Sequence, residues 1–169
     1  MDLKKIYEDN EYELYEYIPT ISKPLAINFE RMRFVRRIRF LKAYLGVGHY
    51  KVYYLAVNGK LVGHCVIEPG GRRLTCSTEK DIVIGPYYIV PQYRGKGYSK
   101  VLVNLSIKYC SYQFQYVFDW VNKDNISSIR TSKACGFEEW AQLNVTHILR
   151  RLVLVKTGDN IVFRKKGRD

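Results

Sequence analysis

The sequence predicts a mixed α/β fold, and three observations carry that expectation. Two apolar runs in "YYLAVNGKLVGHCVIEP" meet at Asn58-Gly59, the pair that a type I′ turn requires, so residues 53–69 form an antiparallel hairpin. A strand over 82–90, a helix over 97–110 and a strand over 116–121 make a βαβ unit, whose strands run parallel with a right-handed crossover. Strand and helix patterns alternate through the rest of the chain, giving the order strand, helix, hairpin, strand, helix, strand, helix, strand, strand, and hence an α/β (α+β mixed sheet) class.

The first strand is "EYELYEYI" at 11–18, where Tyr or Leu alternates with Glu and gives one wet face. Residues 25–45 contain neither glycine nor proline, and Phe34, Ile38, Leu41 and Leu45 stand at helical spacing, predicting one or two helices. The run "DIVIGPYYIV" stops at Pro91, which has no N–H to give a ladder. In the next helix Val101, Leu102, Leu105 and Tyr109 share a face. "QYVFDWV" reads as a strand and "NISSIRTSKACGF" as a short helix stopped by Gly136; 140–155 and 160–164 supply the last strands.

The length of 169 residues fits one domain spanning 1–169, with enough core to need no staples. Four cysteines, Cys65, Cys76, Cys110 and Cys135, lack C-x-x-C spacing and sit in or beside apolar stretches; they read as reduced thiols, and no metal site is expected. No apolar run approaches a membrane span and the acidic start lacks a signal-peptide core, so the expectation is a soluble cytoplasmic protein. The net charge of +12 favours anionic partners. It concentrates at 31–42 and at Arg164, Lys165, Lys166 and Arg168, read most simply as a solvated helix face and a frayed tail. No nucleic-acid motif accompanies the charge, so nucleic acid is not an expected partner.

The strand 82–90 leads through Arg94-Gly95-Lys96-Gly97 into a helix, whose first N–H groups then point beyond the strand's end. Glycine at 95 and 97 lets the backbone bend close to a phosphate, Arg94 and Lys96 add charge, and the helix dipole favours an anion. A dinucleotide motif would need glycine where Lys100 stands, and no G-x-x-x-x-G-K-[ST] occurs. Taken alone the loop reads better as a strand-to-helix turn that needs two glycines.

A second block changes that balance. "VPQYRGKGYSKVLV" matches Q/R-x-x-G-x-G/A at Gln92, Gly95 and Gly97, and "NKDNISSIRTSKACGF" carries an N-x-x-S-I-R variant at Asn125, Ser128, Ile129 and Arg130, followed by Lys133, Gly136 and Phe137. Together the blocks resemble the GNAT superfamily of acyl-CoA-dependent N-acyltransferases, and the order of elements agrees from residue 11 onward.

The resemblance implies a central mixed sheet whose parallel strands 82–90 and 116–121 splay apart for the pantetheine arm of acetyl-CoA, a co-substrate. Its pyrophosphate would rest on the N–H groups of Arg94, Gly95, Lys96, Gly97, Tyr98 and Ser99, and its thioester carbonyl against N–H groups near Ile89 and Val90, which would stabilise the oxyanion formed by direct attack of an amine. Asn125 and Ser128 would bind the pantetheine arm or order a water, and Ser132 stands where the family often has a tyrosine acid. A lysine-like amine is neutral about once in 2,500 molecules at pH 7, an α-amine about one time in ten, so the need for a base depends on the acceptor. Asp119, sharing a strand face with Val117 and Val121, is the candidate base; His64 and Glu68 read more readily as structural or solvent-exposed.

The implied activity is acetyl transfer to a primary amine on a small, anionic acceptor such as an amino sugar. Two alternatives remain: a protein or peptide amine, suggested by the N-x-x-S-I-R variant, and a CoA- or nucleic-acid-binding protein of the same fold without catalysis. A homodimer is among the oligomeric states left open.

Overall fold

A computed structural model describes residues 3–20, 23–27, 29, 50–71, 74–145 and 152–167. Along them run β1 (Lys4–Glu8), β2 (Tyr12–Tyr17), β3 (Lys51–Val57), β4 (Lys60–Pro69), β5 (Ile82–Ile89), a 3₁₀ turn (Pro91–Tyr93), α1 (Tyr98–Tyr109), β6 (Tyr116–Asn122), α2 (Ile126–Ala134), β7 (Glu138–Val145), β8 (Leu152–Val155) and β9 (Asn160–Lys166). The helix expected over 25–45 lies almost wholly outside the described residues. Two compact units divide the chain, one from Met1–Glu68 and Pro86–Cys110, the other from Pro69–Gly85 and Ser111–Asp169.

The first unit has strand order β1-β2-β3-β4-β5. Asn58 and Gly59 both take positive φ, 48° and 72°, as a type I′ turn demands, and β3 pairs antiparallel with β4 around them. Register sets Tyr15 opposite Tyr54 and Tyr54 opposite His64, and Tyr17, Leu25, Tyr50, Val52, Tyr54 and Val66 form one core cluster. Three tyrosine hydroxyls fasten the segment at 23–27 over that cluster. Tyr17 donates to the Lys23 carbonyl (2.7 Å), Tyr50 to that of Pro24 (3.1 Å) and Tyr54 to that of Ile27 (3.1 Å), while Ile27 N–H donates back to the Tyr54 oxygen (3.1 Å). Burial pushes the Tyr54 phenol up to about 12, so it stays a donor at neutral pH.

Strand β1 was not expected. Its sequence, KKIYE, shows no apolar alternation because it is an edge strand with a bulge between Lys5 and Tyr7, and charge at an edge blocks pairing with other chains. Helix α1 packs on β2 and β3 through Leu102, Val103 and Ser106; of the predicted face only Leu102 is fully buried, and Val101, Leu105 and Tyr109 are half-buried. A buried serine carries no apolar signal, so the seam is rotated from the one that hydrophobic spacing marks.

In the second unit the order is β5-β6-β9-β7-β8. β5 and β6 run parallel, as the βαβ pattern requires, pairing Ile82 with Val117 and Val83 with Phe118. The stretch expected as strand over 140–155 is two strands, β7 and β8, with 146–151 outside the described residues. β9 lies between β6 and β7, antiparallel to both, which corrects the reading of Arg164, Lys165 and Lys166 as a frayed tail. The Arg164 guanidinium stacks on Tyr116 (4.8 Å) and Trp140 (4.9 Å), and Lys165 Nζ donates to the Cys135 carbonyl (2.6 Å) at the C-terminal end of α2, where a cation is favoured. Leu74, Val83, Phe118, Leu143 and Val162 form this unit's core cluster. None of the four cysteines forms a disulfide, and burial raises the Cys76 thiol to about 11, leaving it unreactive at neutral pH.

One close approach controls the first unit. A Cβ on Gly63 would collide with the Tyr88 carbonyl oxygen and stand 2.6 Å from Ile89 Cδ1, so β4 and β5 meet only over a glycine. Gly63→Ala should lower stability by about 1–3 kcal/mol, read from urea unfolding midpoints at unchanged m. An unchanged midpoint would show that β5 yields freely at this point.

Candidate active site

The glycine loop belongs to the first unit. After β5 the 3₁₀ turn closes through Tyr93 N–H to Val90 O and Arg94 N–H to Pro91 O, both backbone bonds near 3 Å (2.9 and 3.1 Å). Gly95 and Gly97 then take φ of 78° and 79°, a region that side chains disfavour, and Gly97 is the N-cap of α1. A Cβ at either glycine would meet nothing within 4 Å. The glycines are therefore required by backbone conformation, and open space remains over the loop. The first helical N–H groups to find an acceptor within the turn are those of Lys100 and Val101, both bonded to the Gly97 carbonyl, and the turn holds no acidic residue. Gln92, Arg94 and Lys96 are exposed; Tyr93, Tyr98 and Ser99 are half-buried. Positive φ at two glycines, a helix start and two exposed cations fit a diphosphate.

Ahead of the loop the strand's backbone groups divide between two directions. Val90 N–H donates to the Val62 carbonyl (2.9 Å), so it is committed to β4 and does not face a thioester. Backbone groups alternate sides along a strand, so the N–H and C=O of Ile89 face the opposite edge of β5. There the Ile89 carbonyl accepts from Arg94 Nε (2.9 Å), and the Arg94 guanidinium lies 5.1 Å from the centre of the Tyr88 ring. The contribution of Arg94 to the strand end was missed in sequence, since it runs through a side-chain nitrogen to a carbonyl five residues back.

Asp119, Ser132, Ser128 and Asn125 come together in the second unit. Asp119 lies on β6 at 2% exposure, and its Oδ2 accepts from Ser132 Oγ (2.7 Å). Burial raises the carboxyl to about 6, opposed by the hydrogen bonds from the Ser132 hydroxyl and the Trp120 N–H. Ser132 Oγ also lies 3.0 Å from the Ser128 carbonyl. A hydroxyl has one hydrogen, so Ser132 donates to Asp119 when the carboxyl is ionised, and to Ser128 when a protonated Asp119 donates to Ser132. Both protonation states are thus satisfied by one rotation. Asn125 is exposed and caps α2, its Oδ1 accepting from Ser128 N–H (3.2 Å). At the other end Gly136, with φ of 78°, closes the helix through Gly136 N–H to Lys133 O and Phe137 N–H to Ser132 O, the paired bonds of a Schellman motif. Gly85, inside β5 with φ of 101°, would bring an added Cβ to 3.8 Å from Asp119 Oδ1.

His64 and Glu68 are both buried, at 7% and 2%, which leaves the structural of their two readings and not the solvent-exposed one. The His64 ring stacks with Phe29 (5.9 Å) and Tyr88 (6.0 Å), a packing role.

Among the described residues no helix is long and apolar enough to cross a membrane. No curated protein matches the chain. Solved structures do: a putative acetyltransferase from Salmonella typhimurium with acetyl-CoA is 16% identical over 92% of this chain and 95% of that one, TM-score 0.55. Ribosomal-protein-S5-alanine acetyltransferase from Vibrio fischeri is 16% identical, covering 96% and 97%, TM-score 0.60. Spermidine N-acetyltransferase from Vibrio cholerae, solved with CoA and spermine, is 16% identical, covering 82% and 79%, TM-score 0.56. At such identity these likenesses establish the fold. The model of the acetyltransferase (GNAT) family matches residues 12–137, well over half the chain, and the protein belongs to that family of acetyltransferases.

Proposed function

We propose that residues 1–169 act as one N-acetyltransferase domain, passing an acetyl group from acetyl-CoA to the primary amine of a small acceptor. The observation that carries this reading is the loop at 94–99, where two positive-φ glycines, with the exposed Lys96 between them, open into the start of α1. Acetyl-CoA supplies an activated thioester. The chain's N–H groups from Gly95 to Ser99 hold its pyrophosphate, that of Arg94 being taken by the Pro91 carbonyl, with Gln92 and Lys96 at the rim, and the outward N–H of Ile89 polarises the carbonyl. Asn125 and Ser128 contact the pantetheine arm. Asp119 is the base for the attacking amine, and Ser132, buried to the same 2% exposure, passes its hydroxyl proton to the carboxylate as it takes one at Oγ. A carboxyl near 6 is mostly ionised at pH 7 and ready to accept.

The net charge of +12 favours an anionic acceptor, such as an amino sugar on a phosphate or nucleotide. A peptide amine is the second reading, favoured by the N-x-x-S-I-R block from Asn125 to Arg130. The protein works in the cytoplasm on this reading, as a monomer or a homodimer.

Two outcomes are expected. Acetyl-CoA at a hundred times its Kd should stabilise the fold by about 2.7 kcal/mol in thermal melts, and Gly97→Val, measured against its own ligand-free melt, should lose most of that gain. No stabilisation of the wild type would remove the co-substrate; with stabilisation seen, an acetyl-transfer screen over amino sugars, polyamines and peptides separates the two acceptors.

The second outcome concerns Asp119. Its folded value of about 6 lies above the ordinary 3.8, so its favourable contribution is complete below about pH 4 and is lost as pH rises through 6. Relative to wild type, Asp119→Asn should therefore gain on the order of 2–3 kcal/mol between pH 4 and pH 7, and kcat/KM should lose its limb near 6 along with most of its magnitude. Parallel stability profiles would place the carboxyl near its ordinary value, and unchanged turnover would remove it as base.

A further inference from the structure

We propose that Arg94 is a positioning residue for the reacting carbonyl, tying the phosphate loop to the end of β5, rather than a ligand of the pyrophosphate. The inference rests on the acetyl-CoA reading above and assigns one residue within that site.

Three contacts support it. Arg94 Nε donates to the Ile89 carbonyl at 2.9 Å, its guanidinium lies 5.1 Å from the Tyr88 ring centre, and its own N–H is held by the Pro91 carbonyl at 3.1 Å. The side chain therefore folds back along the strand instead of over Gly95 and Gly97. A guanidinium bonded at Nε and seated on a ring, on a backbone that is itself anchored, keeps a fixed orientation, and a charged donor on a backbone carbonyl makes one of the stronger protein hydrogen bonds. Lys96, between the two glycines, is the exposed cation left to complement phosphate.

The consequence falls on Ile89. Its carbonyl has no partner on the β4 side, because Val90 N–H takes the Val62 carbonyl and the alternation sends Ile89 outward. That carbonyl lies in the 89–90 peptide, which Val90 N–H holds from the β4 side, and the Ile89 N–H lies in the adjoining 88–89 peptide; the Arg94 bond steadies the second plane through the Ile89 Cα, and the guanidinium's contact with the Tyr88 ring steadies it from the other end. A donor aimed at a developing oxyanion is valuable only if it need not reorient during reaction. The Tyr88 ring under the guanidinium limits Arg94 from below, so ring and bond act as one clamp.

The test reads the carbonyl directly and needs no acceptor. Acetyl-CoA labelled with carbon-13 at the thioester carbonyl is bound at saturation, its infrared band is compared with that in water, and calorimetry gives Kd. Arg94→Met keeps the stem as far as the position of Nε and removes the donor nitrogens and the charge; Lys96→Met removes the charged amine from the loop. Arg94→Met should bind CoA within about threefold of wild type yet lose about half or more of the band's shift. Lys96→Met should do the reverse, weakening binding about fivefold or more with the shift kept. Tyr88→Phe, which keeps the ring, should match wild type, and Tyr88→Leu should lose part of the shift.

An Arg94→Met protein that keeps the full shift would overturn the proposal, whatever its affinity. A wild-type complex without any shift would overturn it too, by removing the Ile89 N–H as donor. Failure of the wild type to bind acetyl-CoA in calorimetry would instead bring down the co-substrate reading, so the two failures are told apart.

Discussion

Strand β5 is the constraint on which the rest of the molecule depends. One backbone must serve two neighbours in sequence: Ile82 and Val83 pair in parallel with β6, and Val90, beyond the positive φ of Gly85, gives its N–H to β4. A strand in a regular sheet has its groups taken on both edges along its length. Ile89 departs from that pattern, its carbonyl answered by a side chain five residues on. Chemistry at a strand end requires such a departure, because a donor already used in a ladder has nothing to offer a substrate.

Glycine placement follows from the same constraint, and each residue is required for a different reason. Gly63 is small because β5 comes within contact distance of it. Gly85, Gly95 and Gly97 are needed for positive φ, and around Gly95 and Gly97 a side chain would meet only empty space. The former is a packing requirement fulfilled inside the folded chain; the latter leaves the loop's backbone open to approach.

How much of this was legible in the sequence depends on how local the signal is. The Asn58-Gly59 hairpin, the strand closed by Pro91 and the helix stopped by Gly136 rest on one or two residues with defined backbone demands, and all three appear as read. Strand β1 was hidden because an edge strand is allowed to be charged, and the position of β9 between β6 and β7 was hidden because spatial order is not encoded in local pattern. The loop at 92–97 was legible by spacing, whereas the bonds of Arg94 and the commitment of Val90 N–H depend on which way a strand's alternation falls. Asp119 stood out as a carboxylate on an apolar strand face; its serine partner, thirteen residues away on α2, was singled out only by resemblance and not as a partner.

The Asp119–Ser132 pair is difficult to account for as a stabilising device. Removing a carboxylate from water costs free energy that one hydroxyl does not return, and the carboxyl rising to about 6 measures the imbalance. A leucine or asparagine at 119 would hold α2 to β6 with less cost at neutral pH. The geometry is better suited to a group that changes protonation: Ser132 has acceptors on two sides, Asp119 Oδ2 and the Ser128 carbonyl, so gain or loss of a proton at Asp119 rotates one hydroxyl and moves nothing else. A buried acid that titrates near neutrality without disturbing its surroundings fits the accepting and returning of a proton, and supplies a reason for keeping a residue that weakens the fold.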